Sequence, residues 1–175
     1  MSKTTLEKRI RALLVFFMLA LVLSGLSAVP LEWGSTLLAQ WFGNGTWFAV
    51  LWPAMSGWLE LIHRGVIETG KNYAFLFYGN DWLAFGHVAI AISFIGPLRD
   101  PLKNIWVIEF GMIACLLVIP WALIFILMRG IPLFWLPIDS SFGILGIIPL
   151  WLARKYTLKL AELDNAPGHK LRLPA

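Results

Sequence analysis

The chain has 175 residues, of which 59% are hydrophobic and 14% are charged. Soluble domains usually carry about 25% charged residues, so this composition points away from a soluble domain and toward a lipid environment. The net charge is +4, but the basic residues flank apolar runs, and we therefore expect a bilayer and not nucleic acid as the partner. The single cysteine, Cys115, excludes an intramolecular disulfide and a multi-cysteine metal site.

The first predicted element is a membrane span over residues 12–29, which is apolar throughout and ends before Pro30. A basic leader precedes it and contains Lys3, Lys8, Arg9 and Arg11. Gly25 and Ser27 have the spacing of a signal-peptide cleavage site, so a cleaved signal peptide is the alternative. An uncleaved helix is the favoured interpretation, because the apolar part of a signal peptide usually has about 7–15 residues.

Residues 31–81 are predicted to form a Trp-rich interfacial helical segment between the first and second spans. Amphipathic aromatic rings favour the headgroup level of a membrane, where one edge is dry and the other wet. Within this segment, residues 57–73 are predicted to form a helix whose charged face points to water. The aromatic residues are Trp33, Trp41, Trp47, Trp52, Trp58, Tyr73, Phe75, Phe77 and Tyr78, and the charged face holds Glu60, Arg64, Glu68 and Lys71.

Three further spans are predicted at residues 82–98, 105–128 and 131–153, followed by a cytoplasmic tail over residues 154–175. Asn80 or Asp81 is expected to cap the second span, and Pro120 is expected to bend the third. The tail is expected to be helical to about residue 163 and disordered beyond it. The predicted fold class is therefore all-α, a polytopic integral membrane protein with four transmembrane helices in a single membrane domain, residues 1–175.

The distribution of charge decides between four and five spans, because residues 46–63 are also apolar enough to cross a bilayer. With four spans and a cytoplasmic N-terminus, 11 basic residues lie inside and three lie outside, namely Arg64, Lys71 and Arg129. With five spans, seven would lie on each side. The positive-inside rule favours four spans with both termini cytoplasmic, in an inner or plasma membrane.

Two ionisable residues inside predicted spans are the candidate functional residues. His87 and Asp139 lie on spans that both enter from the outer side, so similar depths and a direct pairing are expected. Such a pair could bind a ligand or relay protons. The alternative is structural, with Asp139 near a helix start, where it complements the helix dipole, and His87 as a packing residue. Glu109 is expected to form a structural ion pair with Arg99, Lys103 or Arg154.

Small residues mark the predicted helix-packing faces, because they let helix backbones approach closely. In the second span these are Gly86, Ala89 and Ser93, and in the fourth span they are Gly143 and Gly146, which share a face with Asp139. His63, Glu60 and Glu68 are interpreted as part of a solvated face. We predict no metal site, because these few groups are a weak signal for a metal-binding site.

The sequence leaves three functions open. The first is a non-enzymatic accessory or scaffold protein that packs against other membrane proteins or a second copy of itself. The second is a binding or transport protein for a small or lipidic ligand at His87 and Asp139. The third is a membrane enzyme that uses the same pair as acid and base. The sequence has no recognisable catalytic or nucleotide-binding motif, we predict no catalytic residue, and no particular cofactor is indicated.

Overall fold

The computed structural model describes residues 2–165, and within that range the protein is all-helical, with no strand, as predicted. Four stretches are long and apolar enough to cross a membrane, which agrees with the predicted number. They are Lys3–Ser27, Pro53–Arg99, Ile105–Met128 and Leu133–Asp164. The α-helices are α1 Lys3–Ser27, α2 Leu31–Phe42, α3 Trp47–Leu51, α4 Pro53–Tyr73, α5 Tyr78–Ser93, α6 Ile95–Arg99, α7 Ile105–Met128 and α8 Leu136–Asn165, with 3₁₀ turns at Ala74–Phe77 and Leu133–Trp135.

The structure changes several predicted boundaries. α5 begins at Tyr78, directly after a 3₁₀ turn, so Asn80 and Asp81 lie inside the helix and do not cap it. It ends at Ser93, and the short α6 follows, with Pro97, which has no N–H to donate, in its first turn. α8 continues into the predicted tail and ends at Asn165, close to the expected helix end near residue 163. The part predicted to be disordered, residues 166–175, lies outside the described residues.

The contacts of the chain group into two compact units, which we describe separately. The bundle unit comprises residues 1–20 and 91–175, and the aromatic unit comprises residues 21–90. Both boundaries fall inside helices, the first in α1 and the second in α5. The expectation of one membrane domain over the whole chain stays a prediction.

One face of the N-terminal half of α1 belongs to the core of the bundle unit. Its buried residues are spaced by three or four positions, which is the spacing of a single helix face. The ring centroids of Phe17 and Phe94 are 4.9 Å apart, which joins α1 to the segment before α6. A matching stripe runs along the C-terminal half of α8. The buried residues are Leu6, Ile10, Leu14 and Phe17 in α1, and Leu150, Ala153, Thr157 and Leu160 in α8.

The N-terminus of α1, the α6–α7 connection and the C-terminal end of α8 converge at one end of the bundle unit. The Lys3 ammonium lies 2.7 Å from the Asp164 carboxylate, and the Arg9 guanidinium lies 5.9 Å from the centroid of the Tyr156 ring. A cleft of about 230 Å³ joins the three segments. Its lining includes Lys3, Glu7, Arg11, Arg99, Asp100 and Asp164. These three segments were all predicted to be cytoplasmic.

The α6–α7 connection is held by hydrogen bonds to its own polar side chains. The backbone N–H of Lys103 donates to the Asp100 carboxylate at 3.1 Å, and the Lys103 ammonium lies 3.3 Å from the same group. The backbone hydrogen bond is the main reason why the pKa of Asp100 lies below its ordinary value. The Asn104 side chain donates to the carbonyl of Gly96, which ties the connection to α6.

In the aromatic unit, α2 packs against α4. The Ser56 hydroxyl donates to the carbonyl of Phe42 at 2.6 Å, and the buried Ser35 hydroxyl lies 3.3 Å from Nδ1 of His63. The predicted water-facing side of α4 is exposed at Arg64, Glu68 and Lys71, but these residues form no ion pair with one another. Large aromatic side chains are exposed around this helix pair. They include Trp33, Trp41, Trp47, Tyr73, Phe75 and Tyr78.

We predict that a short bis-maleimide will cross-link Lys3→Cys to Asp164→Cys within one molecule when Cys115 is replaced by alanine. The two native side chains are in contact, so thiols at these positions lie within the span of such a cross-linker. The matched control is Lys3→Cys with Arg129→Cys, which places the second thiol beyond the far end of α7. That helix has 24 residues and is about 36 Å long. Electrophoresis measures the result, and equal cross-linking of both pairs would contradict this arrangement.

Candidate functional site

The closest approach of two helices in the bundle unit is between α7 and α8, at Gly143. A Cβ atom added at Gly143 would collide with the backbone carbonyl oxygen of Cys115, and it would lie 3.4 Å from Cβ of Val118. One turn further along α8, a Cβ at Gly146 would lie 3.1 Å from Sγ of Cys115. Both predicted packing glycines of the fourth span therefore face α7, and at Gly143 only a hydrogen atom fits.

Two further contacts define the antiparallel register of α7 and α8. Gly111 lies against the side chains of Phe94 and Leu150. Nε of Arg154 donates to the Glu109 carboxylate at 2.8 Å, which confirms the expected ion pair of Glu109 and selects Arg154 among its three candidate partners. Both side chains remain partly exposed, so the pair joins the helices without being sealed from its surroundings.

In this register, Asp139 borders an apolar groove along α7. It lies one turn before Gly143, which places it roughly level with Ala122 because both helices rise about 1.5 Å per residue. The groove has a volume of about 640 Å³, and Asp139 is the one ionisable residue in its lining. The other lining residues are Ala114, Leu117, Val118, Trp121, Ala122, Phe125, Ile126 and Ile131.

The Asp139 carboxylate has a hydrogen-bond partner but no cationic partner among the described residues of its own unit. The Trp135 side chain, four residues earlier, hydrogen-bonds to it, and its indole N–H is the donor. None of the ion pairs of the described bundle unit includes Asp139. The basic residue nearest in sequence is Arg129, which lies seven residues beyond Ala122, or about 10 Å along the α7 axis. Arg129 forms no ion pair with Asp139 in the structure.

His87 lies in the aromatic unit, where it packs against α1. Its Nδ1 donates to the carbonyl of Leu83 at 2.8 Å, because a carbonyl oxygen only accepts. A neutral imidazole with this hydrogen bond has its acceptor nitrogen at Nε2. A Cβ added at Gly25 would lie 2.5 Å from Cβ of His87, so the two helix backbones approach closely here. His87 and Asp139 belong to different units, and their pairing stays a prediction.

The small residues of α5 do not lie on its most buried face. Ala84 and Ala91 are buried, whereas Ala89 and Ser93 are exposed. A Cβ added at Gly86 would meet no atom within 4 Å. The predicted small-residue face is therefore largely uncovered in the structure, and its role in packing stays a prediction.

Sequence reasoning missed two packing glycines and one polar contact. Gly25 was considered only as part of a cleavage site, and Gly111 was not singled out, although each lies directly against a side chain of another segment. Glycines within apolar runs are a usable signal for close packing. The contact between Ser35 and His63 had no comparable signal, because neither residue shows which helix will face it.

Comparisons with protein-family models, with curated proteins and with solved structures found no match for this chain.

We predict that Gly143→Leu will destabilise the protein, whereas Leu145→Phe will be tolerated. The first change places a side chain where the Cys115 carbonyl lies and should cost about 1–3 kcal/mol or more, since overpacking forces backbones apart. Leu145 is 65% exposed, so its replacement has space. Thermal unfolding in detergent, followed by loss of helical circular dichroism, measures the difference. Equal tolerance of the two changes would show that the glycine face does not carry the helix contact.

Proposed function

We propose that this chain is a polytopic membrane protein with four spans and cytoplasmic termini. We further propose that it is a non-enzymatic accessory protein that packs against another membrane protein in an inner or plasma membrane. The observation that carries the accessory role is the uncovered small-residue face of α5. The four-span topology is supported by the geometry of the bundle unit.

The convergence of three segments at one end of the bundle unit favours four spans over five. With four spans, the N-terminus, the α6–α7 connection and the end of α8 all lie on the same side of the membrane. With five spans, the N-terminus would be separated from the other two segments by the bilayer. The contact between Lys3 and Asp164 therefore supports the four-span topology. The same end collects basic residues, as the positive-inside rule requires of a cytoplasmic end.

An interfacial position of residues 31–81 is supported by the surface of the aromatic unit. Trp33, Trp41 and Trp47 expose most of their side chains, although indole rings are costly to leave entirely in water. α4 exposes Arg64, Glu68 and Lys71 on one side while it buries Met55 and Leu59 on another. Such a helix suits the plane between headgroups and acyl chains.

The uncovered face of α5 supports a role in packing with another protein. In lipid there is no hydrophobic force between helices, so association depends on close backbone approach at small residues. At Gly25, Gly111 and Gly143 this chain already fills the space beside its glycines. At Gly86 the space is open, and the exposed Ala89 lies nearly one turn further along the same helix. A second helix could therefore approach α5 there without displacing a described residue of the aromatic unit.

Binding of a small or lipidic ligand is the second candidate function, and the groove beside Asp139 favours it. A volume of about 640 Å³ falls within the usual range of roughly 300–1,000 Å³ for ligand sites. Such sites normally enclose most of the ligand and present several convergent polar groups. Here the groove is open along its length and presents one carboxylate, so this function ranks second.

We predict that a photoreactive phenylalanine at Ala89 will cross-link to a discrete membrane polypeptide in the native membrane. The matched control is the same residue at Phe142, an exposed position of α8, where we expect adducts with lipid alone. Gly86→Leu should remove the Ala89 adduct without lowering the unfolding temperature, because the new side chain enters open space. Gly25→Leu should lower that temperature, since His87 occupies the space. Identical adducts at both positions, or an adduct unaffected by Gly86→Leu, would contradict the accessory role.

A further inference from the structure

We propose that the groove between α7 and α8 binds a transmembrane helix of another protein that carries a lysine or arginine side chain opposite Asp139. This inference depends on the proposed membrane-spanning topology but not on the accessory surface of α5, because the two surfaces share no residue. It names a second interaction site, with an ionic contact at a defined depth.

The charge of Asp139 is the first reason. An ionised carboxylate inside a bilayer costs roughly 2.5–3.5 kcal/mol on insertion scales, and such groups are usually paired. The indole of Trp135 supplies a hydrogen bond but no charge. Arg129 forms no ion pair with Asp139, and the ion pairs of the described bundle unit all involve other residues. A cation brought by a partner would complement the one ionisable group in the groove.

The shape of the groove is the second reason. Its α7 side consists of two parallel rows, each with a spacing of four residues. The small row is Ala114, Val118 and Ala122, and the large row is Leu117, Trp121 and Phe125. Rows with this spacing form the ridges and grooves by which helices pack. A row of small side chains beside a row of large ones lets a second helix approach α7 closely over the small row. The distance from Ala114 to Ala122 is about 12 Å, or two helical turns of contact.

The depth of Asp139 favours a helix over a lipid headgroup. Arg129 follows the last residue of α7, and Asp139 lies about 10 Å below it along the axis. Lipid ammonium groups stay at the headgroup level, because moving a cation into the hydrocarbon region is costly. A lysine on a membrane-spanning helix is held at its depth by the backbone of that helix. A partner helix can therefore place a cation where a lipid headgroup does not reside.

The experiment uses the full-length protein in phosphatidylcholine vesicles and synthetic leucine–alanine transmembrane peptides as probes. One peptide carries a single lysine about 10 Å from the end that inserts at the outer face, and the matched peptide carries norleucine there. Energy transfer between a labelled protein and labelled peptides measures association. We expect about tenfold tighter association of the lysine peptide, which corresponds to the roughly 1–2 kcal/mol of a polar contact between membrane helices. Moving the lysine by two turns should remove the difference.

Three variants test the site itself. Asp139→Asn should abolish the tighter association of the lysine peptide. Ala122→Phe should weaken the association of both peptides, because its side chain fills the row of small residues. Leu145→Phe, on an exposed face of α8, should leave association unchanged. Ala122→Phe tests the groove independently of the charge of Asp139, since Ala122 lines the groove. Equal binding of the lysine and norleucine peptides, or an unchanged preference in Asp139→Asn, would overturn the proposal. Displacement of the lysine peptide by dodecylammonium but not by dodecanol would assign the groove to a small amphiphile and overturn it too.

Discussion

The direct contact between the backbones of α7 and α8 is the constraint on which the bundle unit depends. Because Gly143 has no side chain, the Cys115 carbonyl can lie against its backbone, and this fixes how far apart the two helices sit. The register that follows brings Arg154 to Glu109 at one end and Asp139 to the α7 groove toward the other. Glu109 pairs with Arg154, whereas Asp139 has no ion-pair partner among the described residues of this unit. Both follow from the same helix contact.

The two units use aromatic residues differently. In the bundle unit, Phe17 and Phe94 pack ring against ring in the core, where they supply buried apolar area. In the aromatic unit, most of the tryptophans expose their rings, and α4 also exposes the charged residues Arg64, Glu68 and Lys71. The first use is typical of a folded interior, and the second suits a surface between water and acyl chains.

The sequence predicted α7 to the residue, because polar residues precede Ile105 and the Arg129–Gly130 turn follows Met128. The start of α5 was wrong by several residues, since a run of aromatic residues before Tyr78 offers no polar boundary. Asp139 and its glycine face were visible in the sequence, but the groove was not. Apart from Glu109, α7 is apolar on every side, so the remaining composition does not show which face will meet α8 along most of its length. Likewise, the sequence shows Gly25 and Gly111, but the residue pattern of one helix does not predict which other segment packs against it.

The contact between Lys3 and Asp164 also constrains the order of assembly. These residues are separated by 161 positions, so the bundle unit remains incomplete until residue 164 has left the ribosome. The aromatic unit uses a continuous stretch, residues 21–90, and all its segments have been synthesised before α7 begins. Domains and subdomains tend to fold as they emerge. The core face of the N-terminal half of α1 therefore stays uncovered by α8 until α8 has been synthesised.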